Sequence, residues 1–393
     1  MRICLVVDSL DVGGAERHVV DLAQGLTRHG HDVVVACSTA GPLAEHLADG
    51  SIQVVPLLGR RVKRSVSPRY ALALGRFLRV HQFDVVHAHL YSSEIAAALA
   101  TAALATPLVL TEHSERTWQR WWQSRISTWT TCRADHVIGV SSGICRLLAR
   151  DGVERHLLSL IANASGPPTA ADREPAVLPE RLLPGALLAG VVGRLCQEKG
   201  HEIFLEAVAR VTRELPHVRF LVIGDGPLMP TLVSRSRRLC LESRLRFLGE
   251  RPNARAIIAA LDLLVVPSLS EGSPLVVREA LAAGVPVLAT RVGDIPDVVE
   301  PRVNGLLVPP GDEDSLAAAL VDLLKDTASL DSLRAGVGVH RAVPDHESVL
   351  ARVEEIYGAV LAIAQAKKGR PRLALAGRED WEGGRAGVKE RSA

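Results

Sequence analysis

Residues 268–280 read SLSEGSPLVVREA, and they join a predicted buried strand to a predicted helix. The strand is the apolar run 261–266, which is typical of a parallel sheet covered on both faces. We expect Ser273 to be the helix N-cap and Pro274 its first residue, with the helix running over 275–283. A helix N-terminus leaves backbone amides unpaired and carries the positive end of the helix dipole. The segment therefore predicts an anion site suited to a phosphate.

Two carboxylates bracket this turn. Glu271 lies within it and Glu279 lies along the helix, with seven residues between them. The segment resembles the E-x7-E signature of retaining glycosyltransferases of family 4. The resemblance implies an α/β fold of the GT-B architecture, in which two doubly wound Rossmann-like domains face a central cleft. It also implies that Glu271 approaches hydroxyls of the transferred sugar and that Glu279 accepts hydrogen bonds from the ribose of the donor.

Length and composition agree with two globular domains. With 393 residues, 47% of them hydrophobic, the chain can bury two sizeable cores. A net charge of +2 gives no whole-protein attraction to nucleic acid, and we expect no such partner. Six scattered cysteines without a Cys-x-x-Cys pair are typical of reduced thiols in a cytosol. Residues 2–7 predict a strand rather than a signal peptide, and the apolar region 95–110 is broken by Pro107, so we expect a cytoplasmic protein.

The first half of the chain predicts a parallel sheet. Apolar strands alternate with helical patterns between most of them, which indicates βαβ units. These strands are predicted at 2–7, 32–36, 52–56, 85–87, 108–110 and 136–140. After the first strand, Gly13 and Gly14 precede a helix without forming G-x-G-x-x-G, so dinucleotide binding is disfavoured. Either these glycines only make the turn, or their amides approach the donor sugar-phosphate, as the resemblance to the family's Gly-Gly-Ala-Glu-Arg segment implies.

Polar residues follow several of these strands, where the ligands of parallel sheets gather. We expect His87 and His89 to be structural, since a lone histidine more often is. His113 ends a Thr-Glu-His segment that resembles the family's N-domain histidine facing the transferred sugar, and we expect it to be functional. Residues 141–143 (Ser-Ser-Gly) lack a G-x-S-x-G elbow and predict a helix cap rather than a nucleophile.

A segment rich in tryptophan and arginine covers 116–129, RTWQRWWQSRISTW. On one helix a single face would carry Trp118, Trp122, Ile126 and Trp129. Such a helix can lie in a lipid interface, and the basic loop 60–64 can meet anionic headgroups or a lipid diphosphate. That loop contains Arg60, Arg61, Lys63 and Arg64. The alternative is a helix packed in the domain core beside a solvated loop, so contact with the inner face of the membrane is a hypothesis.

The second half repeats the alternation of strands and helices. Residues 166–185 are rich in Pro, Ala, Gly and charged residues, which predicts a linker between an acceptor-side domain, 1–165, and a donor-binding domain, 186–346. Arg194 and Lys199 follow the strand 187–192. They are either two surface charges or, by resemblance to the family's Gly-Arg-Leu-x-x-Glu-Lys-Gly motif, the residues that bind the donor diphosphate. An arginine fork and a lysine point charge both suit phosphate oxygens.

The resemblance places further donor contacts along this domain. It implies nucleotide contacts at Gly224 and near Arg251, and diphosphate contacts at the helix start Pro274, Leu275 and Val276. Asp294 and Asp297 depart from the family's usual Gly-Gly-Ile-Pro-Glu, and we assign them no role. The last helix, about 347–366, is expected to cross back onto the first domain. Residues 369–393 have no periodicity, and we expect them to be disordered.

By resemblance, then, the chain transfers a sugar from a nucleotide-diphosphate donor to a hydroxyl of a glycan or lipid-linked acceptor, with retention and without a cofactor or metal. The residues implied in catalysis are His113, Arg194, Lys199 and Glu271. Two alternatives stay open. One is a nucleotide-sugar epimerase of the same architecture, and the other is a non-catalytic partner subunit that binds a nucleotide sugar.

Overall fold

Parallel strands alternate with helices along the chain. The structure is a computed structural model that describes residues 1–48, 52–116, 118–164, 176, 178, 186–251, 253–339 and 345–369. The predicted linker, 166–185, lies outside the described residues except for Ala176 and Leu178. The predicted disordered tail lies outside them from residue 370 onward.

The first sheet is formed by seven parallel strands. They are β1 (Arg2–Ser9), β2 (Asp32–Thr39), β3 (Gln53–Pro56), β4 (Val85–His89), β5 (Leu108–Glu112), β6 (His136–Gly139) and β7 (Leu158–Leu160). Between them lie α1 (Gly14–Arg28), α2 (Ala44–Ala48), α3 (Pro68–His81), α4 (Tyr91–Thr101), α5 (Trp121–Thr131) and α6 (Ser142–Arg150). The order β3-β2-β1-β4-β5-β6-β7 reverses between β1 and β4, so ligands are expected at the carboxyl ends of these two strands.

The second sheet is formed by six parallel strands. They are β8 (Leu188–Val192), β9 (Arg219–Ile223), β10 (Leu245–Gly249), β11 (Leu263–Val266), β12 (Val287–Thr290) and β13 (Gly305–Val308). Its helices are α7 (His201–Glu214), α8 (Met229–Arg238), α9 (Ala254–Ala259), α10 (Leu275–Ala282), α11 (Ile295–Val298), α12 (Glu313–Lys325) and α13 (Thr327–Val339). The order β10-β9-β8-β11-β12-β13 reverses between β8 and β11, which is the second switch point.

The final helix, α14 (His346–Gly369), packs on the first domain although it follows the second in sequence. Its Leu350 and Tyr357 are fully buried in the hydrophobic cluster that contains β1 and α1. Gly25 of α1 makes room for it, because a Cβ there would overlap the Leu350 side chain. Burying a side chain such as Leu350 contributes about 1.5–3 kcal/mol. The last helix was expected to cross back onto the first domain, and α14 lies there.

Strand boundaries differ from the sequence expectation in informative places. Strands β4 and β5 each run two residues further than predicted, so His89 and Glu112 lie within strands instead of after them. Both are buried with specific partners, His113 for His89 and Arg116 for Glu112, which allows polar residues to continue a buried strand. The sequence does not predict β7 or β10, because both are short edge strands with half-exposed residues.

Candidate active site

The two domains meet where the 268–274 turn lies against the first sheet. Gly272 contacts the loop after β5 so closely that a Cβ would overlap the carbonyl oxygen of His113. Asn163 Nδ2 donates to the carbonyl oxygen of Ser273 at 3.1 Å, which adds a second contact between the domains. The carboxyl ends of the first sheet therefore face the turn that follows β11.

Lys199 and Glu271 form an ion pair beside this contact. The Lys199 Nζ donates to Glu271 Oε1 at 2.7 Å and to Oε2 at 2.9 Å. Ser268 Oγ also donates to Glu271 Oε1, at 2.7 Å. Gly200 lets the two loops approach, since its φ is +66° and a Cβ would overlap the carbonyl oxygen of Pro267. The pair places a lysine charge, 29% exposed, at the switch point of the second sheet.

The helix after the turn begins differently from the expectation. Pro274 is the N-cap of α10, so the assignment of Ser273 as N-cap and Pro274 as first helical residue is wrong. Ser273 Oγ instead donates to Asp294 Oδ2 at 2.7 Å. A proline side chain has no acceptor, so it leaves the amides of Leu275 and Val276 uncapped at the positive end of the helix dipole.

Neither Asp294 nor Asp297 has a role assigned from the sequence, and Asp294 holds this turn in place. Asp294 forms a buried ion pair with Arg278, and its backbone amide donates to the Gly272 carbonyl oxygen at 3.0 Å. Asp297 Oδ2 accepts from Ser142 Oγ at 2.9 Å, a contact between the domains. Because removing one partner of a buried ion pair costs about 3–5 kcal/mol, Asp294 is a strong structural anchor of the turn.

The positive charge of Arg194 influences Glu16, which follows the glycine turn of the first domain. Gly13 is the N-cap of α1, and a Cβ there would overlap the Glu16 carboxylate, whereas Gly14 has open space beside it. Burial raises the pKa of Glu16, while the positive charges of Lys63 and Arg194 oppose that shift. The exposed Arg194 therefore acts on a buried carboxylate of the opposite domain, as a residue at the cleft would.

Glu279 is bridged to the first domain by an arginine that sequence reasoning missed. Arg255 Nε donates to Glu279 Oε1 at 3.0 Å, and Arg255 Nη2 lies 3.7 Å from Asp21 Oδ2 of α1. No recognisable motif surrounds Arg255 in the sequence. Only the packing of α9 beside α10 brings it to Glu279, so a ribose that bound this carboxylate would share it with Arg255.

Gly224 and Arg251 lie along the same edge of the second sheet. Gly224 has φ +127°, and a Cβ would overlap the carbonyl oxygen of Gly193. Its amide donates to the Gly249 carbonyl oxygen at 2.8 Å, so it joins the loops after β8, β9 and β10. Arg251 is exposed two residues beyond Gly249. Packing alone therefore explains why residue 224 is a glycine. The Arg251 side chain lies at the surface.

His113, which is partly exposed, borders the turn together with buried histidines. Its Nε2 lies 3.1 Å from His89 Nδ1. His87, on the same strand as His89, is bonded to Tyr357 OH at 2.6 Å and to Thr111 Oγ1 at 2.7 Å, as a structural residue is. Burial lowers the pKa of His113 well below its usual value, so the ring is neutral at neutral pH. A neutral imidazole can hydrogen-bond a sugar hydroxyl without adding charge.

The tryptophan-rich segment does not form one helix. Helix α5 begins at Trp121, so the prediction that Trp118 shares its face is wrong. The chain turns at Arg116, which has φ +59° and forms a buried ion pair with Glu112 at 2.6 Å. Trp118 packs edge-on against Tyr91, with ring centroids 5.3 Å apart. It is therefore half-buried against α4 rather than on the surface of α5.

Helix α5 itself buries polar residues and exposes aromatic ones. Gln123, Ser127 and Thr130 are buried. The exposed fractions are 77% for Trp121, 39% for Trp122 and 42% for Trp129. Within the described part of the chain, no helix is both long enough and apolar enough to cross a membrane.

The basic loop 60–64 faces the cleft. Arg61 pairs with Asp11 at 2.6 Å, and Lys63 Nζ lies 3.9 Å from Glu16. Arg64 lies 3.5 Å from Glu198 of the second domain, and its guanidinium stacks on the Trp118 ring at 4.8 Å. These three cations lie beside the site, and each is paired with a carboxylate there.

Asp8 lies next to the end of β1, at the first switch point, and provides a pH test of the fold. Burial raises its pKa from 3.8 to about 6, although Ser93 donates two hydrogen bonds to it. Because the folded pKa is above the unfolded one, wild-type stability falls as the pH rises from about 4 to 6. An Asp8→Asn variant keeps the acceptor oxygen, so we expect equal stability at pH 4 and a gain of ~3 kcal/mol at pH 8. Urea unfolding at both pH values measures this, and a pH-independent difference would contradict it.

Two doubly wound sheets that face each other across a cleft form the GT-B architecture. Anabaena Alr3699/HepE, solved with UDP-glucose, has the same fold. The TM-score is 0.78 at 23% identity, over 91% of this chain and all of that one. Residues 12–164 match the model of Glycosyltransferase Family 4, and 187–326 match that of Glycosyl transferases group 1. The protein belongs to the family-4 glycosyltransferases, which confirms the predicted family and architecture.

Two relatives of this chain are named for different reactions. N-acetyl-alpha-D-glucosaminyl L-malate synthase of Bacillus anthracis is 34% identical over 40% of this chain and 41% of that protein. UDP-Gal:alpha-D-GlcNAc-diphosphoundecaprenol alpha-1,3-galactosyltransferase of Escherichia coli is 27% identical over 80% of this chain and 86% of that protein. The similarity to the second relative covers both domains.

Proposed function

We propose that this glycosyltransferase takes its sugar from a nucleotide-diphosphate donor and transfers it with retention at the anomeric carbon. The observation that carries this is the Lys199–Glu271 ion pair beside the uncapped start of α10. Cleavage of the glycosyl–phosphate bond places negative charge on the leaving diphosphate. Lys199, Arg194 and the first amides of α10 are arranged to stabilise that charge. Stabilisation of developing charge by preorganised groups usually contributes more to catalysis than any other single effect.

Glu271 and His113 face the sugar in this proposal. Glu271 accepts hydrogen bonds from sugar hydroxyls near the anomeric centre, and neutral His113 bonds another hydroxyl. The acceptor hydroxyl is the nucleophile, and its proton passes to the departing phosphate. Retention therefore needs no protein base. Because the protein supplies the positive charge itself, we propose that transfer also needs no metal or other cofactor.

We propose further that the acceptor is a glycan under assembly on a lipid carrier or at the cell surface, reached from the cytoplasmic face of the membrane. The Escherichia coli relative is named for a diphosphoundecaprenol substrate. The exposed tryptophans of α5 stand beside cationic side chains, with the Arg133 guanidinium 5.4 Å from the Trp129 ring. Exposed tryptophan and arginine on one surface suit the headgroup region of an anionic bilayer.

The test is a screen of nucleotide sugars for release of nucleoside diphosphate, with and without lipid-linked acceptors. We expect acceptor-dependent release, a product heavier by one sugar, and a rate within about twofold after EDTA treatment. Donor converted to an isomer of unchanged mass would favour the epimerase alternative. Binding without any consumption would favour the non-catalytic subunit.

The membrane surface has its own test in a variant with Trp121, Trp122 and Trp129 all replaced by serine. We expect flotation with vesicles containing phosphatidylglycerol to fall at least about tenfold, because the apolar anchors are lost. The control is Ile363→Ser, which replaces a 49% exposed residue on α14. Equal flotation of the triple variant and the wild type would refute the proposed contact.

A further inference from the structure

Three histidines from three different elements converge at the cleft edge of the first sheet. His18 comes from α1, His89 from the end of β4, and His113 from the loop after β5. One ring nitrogen from each lies within 4.8 Å of the other two. The His18 ring centroid is 5.8 Å from that of His89 and 5.3 Å from that of His113.

The separations are close to those of a metal ligand set. Zinc bonds imidazole nitrogen at about 2.0–2.1 Å in tetrahedral sites, so two such ligands lie roughly 3.3 Å apart. His89 Nδ1 and His113 Nε2 already lie 3.1 Å apart. The ring nitrogen of His18 lies at most 4.8 Å from those of His89 and His113. Shortening that separation to about 3.3 Å requires a movement of about 1.5 Å, which side-chain rotation can supply.

The rings of His89 and His113 are hydrogen-bonded to each other, through His89 Nδ1 and His113 Nε2. His89 Nε2 and His113 Nδ1 are buried and have no hydrogen-bond partner among the described residues. His87 contrasts with them, because protein partners occupy both of its nitrogens although it lies on the same strand as His89. The nitrogens that an ion would join, His89 Nδ1 and His113 Nε2, have only their mutual hydrogen bond among the described contacts, and an ion between them would replace it.

We propose that His18, His89 and His113 form a binding site for Zn²⁺ or a similar transition-metal ion, with its open position toward the cleft. Imidazole is a ligand that such ions favour, and three protein ligands leave a fourth position free. His113 is partly exposed at the cleft, which gives the ion an entry path. The consequence rests on the proposed function: an ion on His113 occupies the imidazole that this function assigns to the sugar, so metal binding inhibits transfer.

The experiment titrates the metal-free full-length protein with Zn²⁺ against a chromophoric chelator. We expect one ion per chain, and an affinity at least about tenfold lower in each of His18→Gln and His89→Gln. The matched control is His136→Gln, which removes a half-buried histidine of β6 whose ring is bonded to Ser159 at 2.9 Å. The control should bind as the wild type does. Wild-type affinity in both test variants would overturn the proposal.

A measurement on the wild type alone covers the case in which a glutamine variant does not fold. X-ray absorption at the zinc edge should show imidazole nitrogens at about 2.0 Å in a four-coordinate shell. A shell of oxygen or sulfur only, or no bound zinc, would overturn the site.

Inhibition separates this proposal from the proposed function. Zn²⁺ should lower the wild-type transfer rate, and His18→Gln should need at least about tenfold more Zn²⁺ for the same fractional loss of its own rate. A chain that binds zinc as expected but consumes no sugar nucleotide refutes the proposed function and keeps the metal site. Transfer unaffected by bound zinc would refute the inhibitory role.

Discussion

Replacing Lys199 with alanine is expected to lower turnover at least about 10²-fold. The variant removes the charge that faces the leaving diphosphate. It also removes the cation that pairs with the largely buried Glu271 carboxylate. Among the described contacts, the hydrogen bond from Ser268 then remains. The loss should fall mainly on kcat, because diphosphate charge grows as the bond breaks. Steady-state rates of nucleoside diphosphate release at saturating donor measure it.

The control for that variant is Lys325→Ala, which removes a surface lysine in the last turn of α12. It should keep the wild-type rate. Lys199→Arg keeps a positive charge but changes its geometry, so an intermediate rate is expected. Near-normal turnover in Lys199→Ala would remove Lys199 from the mechanism.

Gly272→Ala is expected to abolish most transfer while leaving each domain folded. Its added methyl would overlap the His113 carbonyl oxygen, so the 268–274 turn must move away from the first domain. A misplacement of about 1 Å at a reacting centre can lower the rate about 10²-fold. Donor affinity should change far less, because Arg194, Lys199 and Glu279 all belong to the second domain. Isothermal titration of the donor beside turnover separates the two effects.

Gly358→Ala is the matched control for this substitution. A Cβ at Gly358 meets nothing within 4 Å, and the residue lies within α14, where alanine is the better helix former. It should retain activity and gain a little stability. If Gly272→Ala also kept wild-type turnover, the close approach of the two domains would not be needed for transfer.

The sequence predicts much of this fold because its strands are apolar runs and its loops carry recognisable motifs. Lys199 and Glu271 are 72 residues apart, yet the motifs alone imply that they share a site, and the structure pairs them. Arg255 and Asp294 could not be found in this way. Each matters through side chains that only packing brings to it, such as Glu279 for Arg255 and Arg278 for Asp294.

The tryptophan-rich segment shows the limit of periodicity. Spacing alone places Trp118 on a common face with Trp122, but the buried Arg116–Glu112 ion pair turns the chain before the helix begins. A periodic pattern predicts a face only where the backbone stays helical. Which residues of α5 face inward also depends on the loop 60–64 that packs against it. Gln123 is buried there and donates to the Arg64 carbonyl oxygen at 3.3 Å.

The placement of α14 affects how the protein can be made. The apolar surface of β1 and α1 that Leu350 and Tyr357 cover is synthesised first, and its cover is synthesised last. At 5–20 residues per second, the ribosome needs about 10–40 s to travel from residue 164 to residue 346. During that interval, the apolar groove of the nascent first domain is exposed to solvent and to chaperones. A fragment ending near residue 165 keeps the groove permanently, so expressing this domain alone requires grafting the terminal helix onto it.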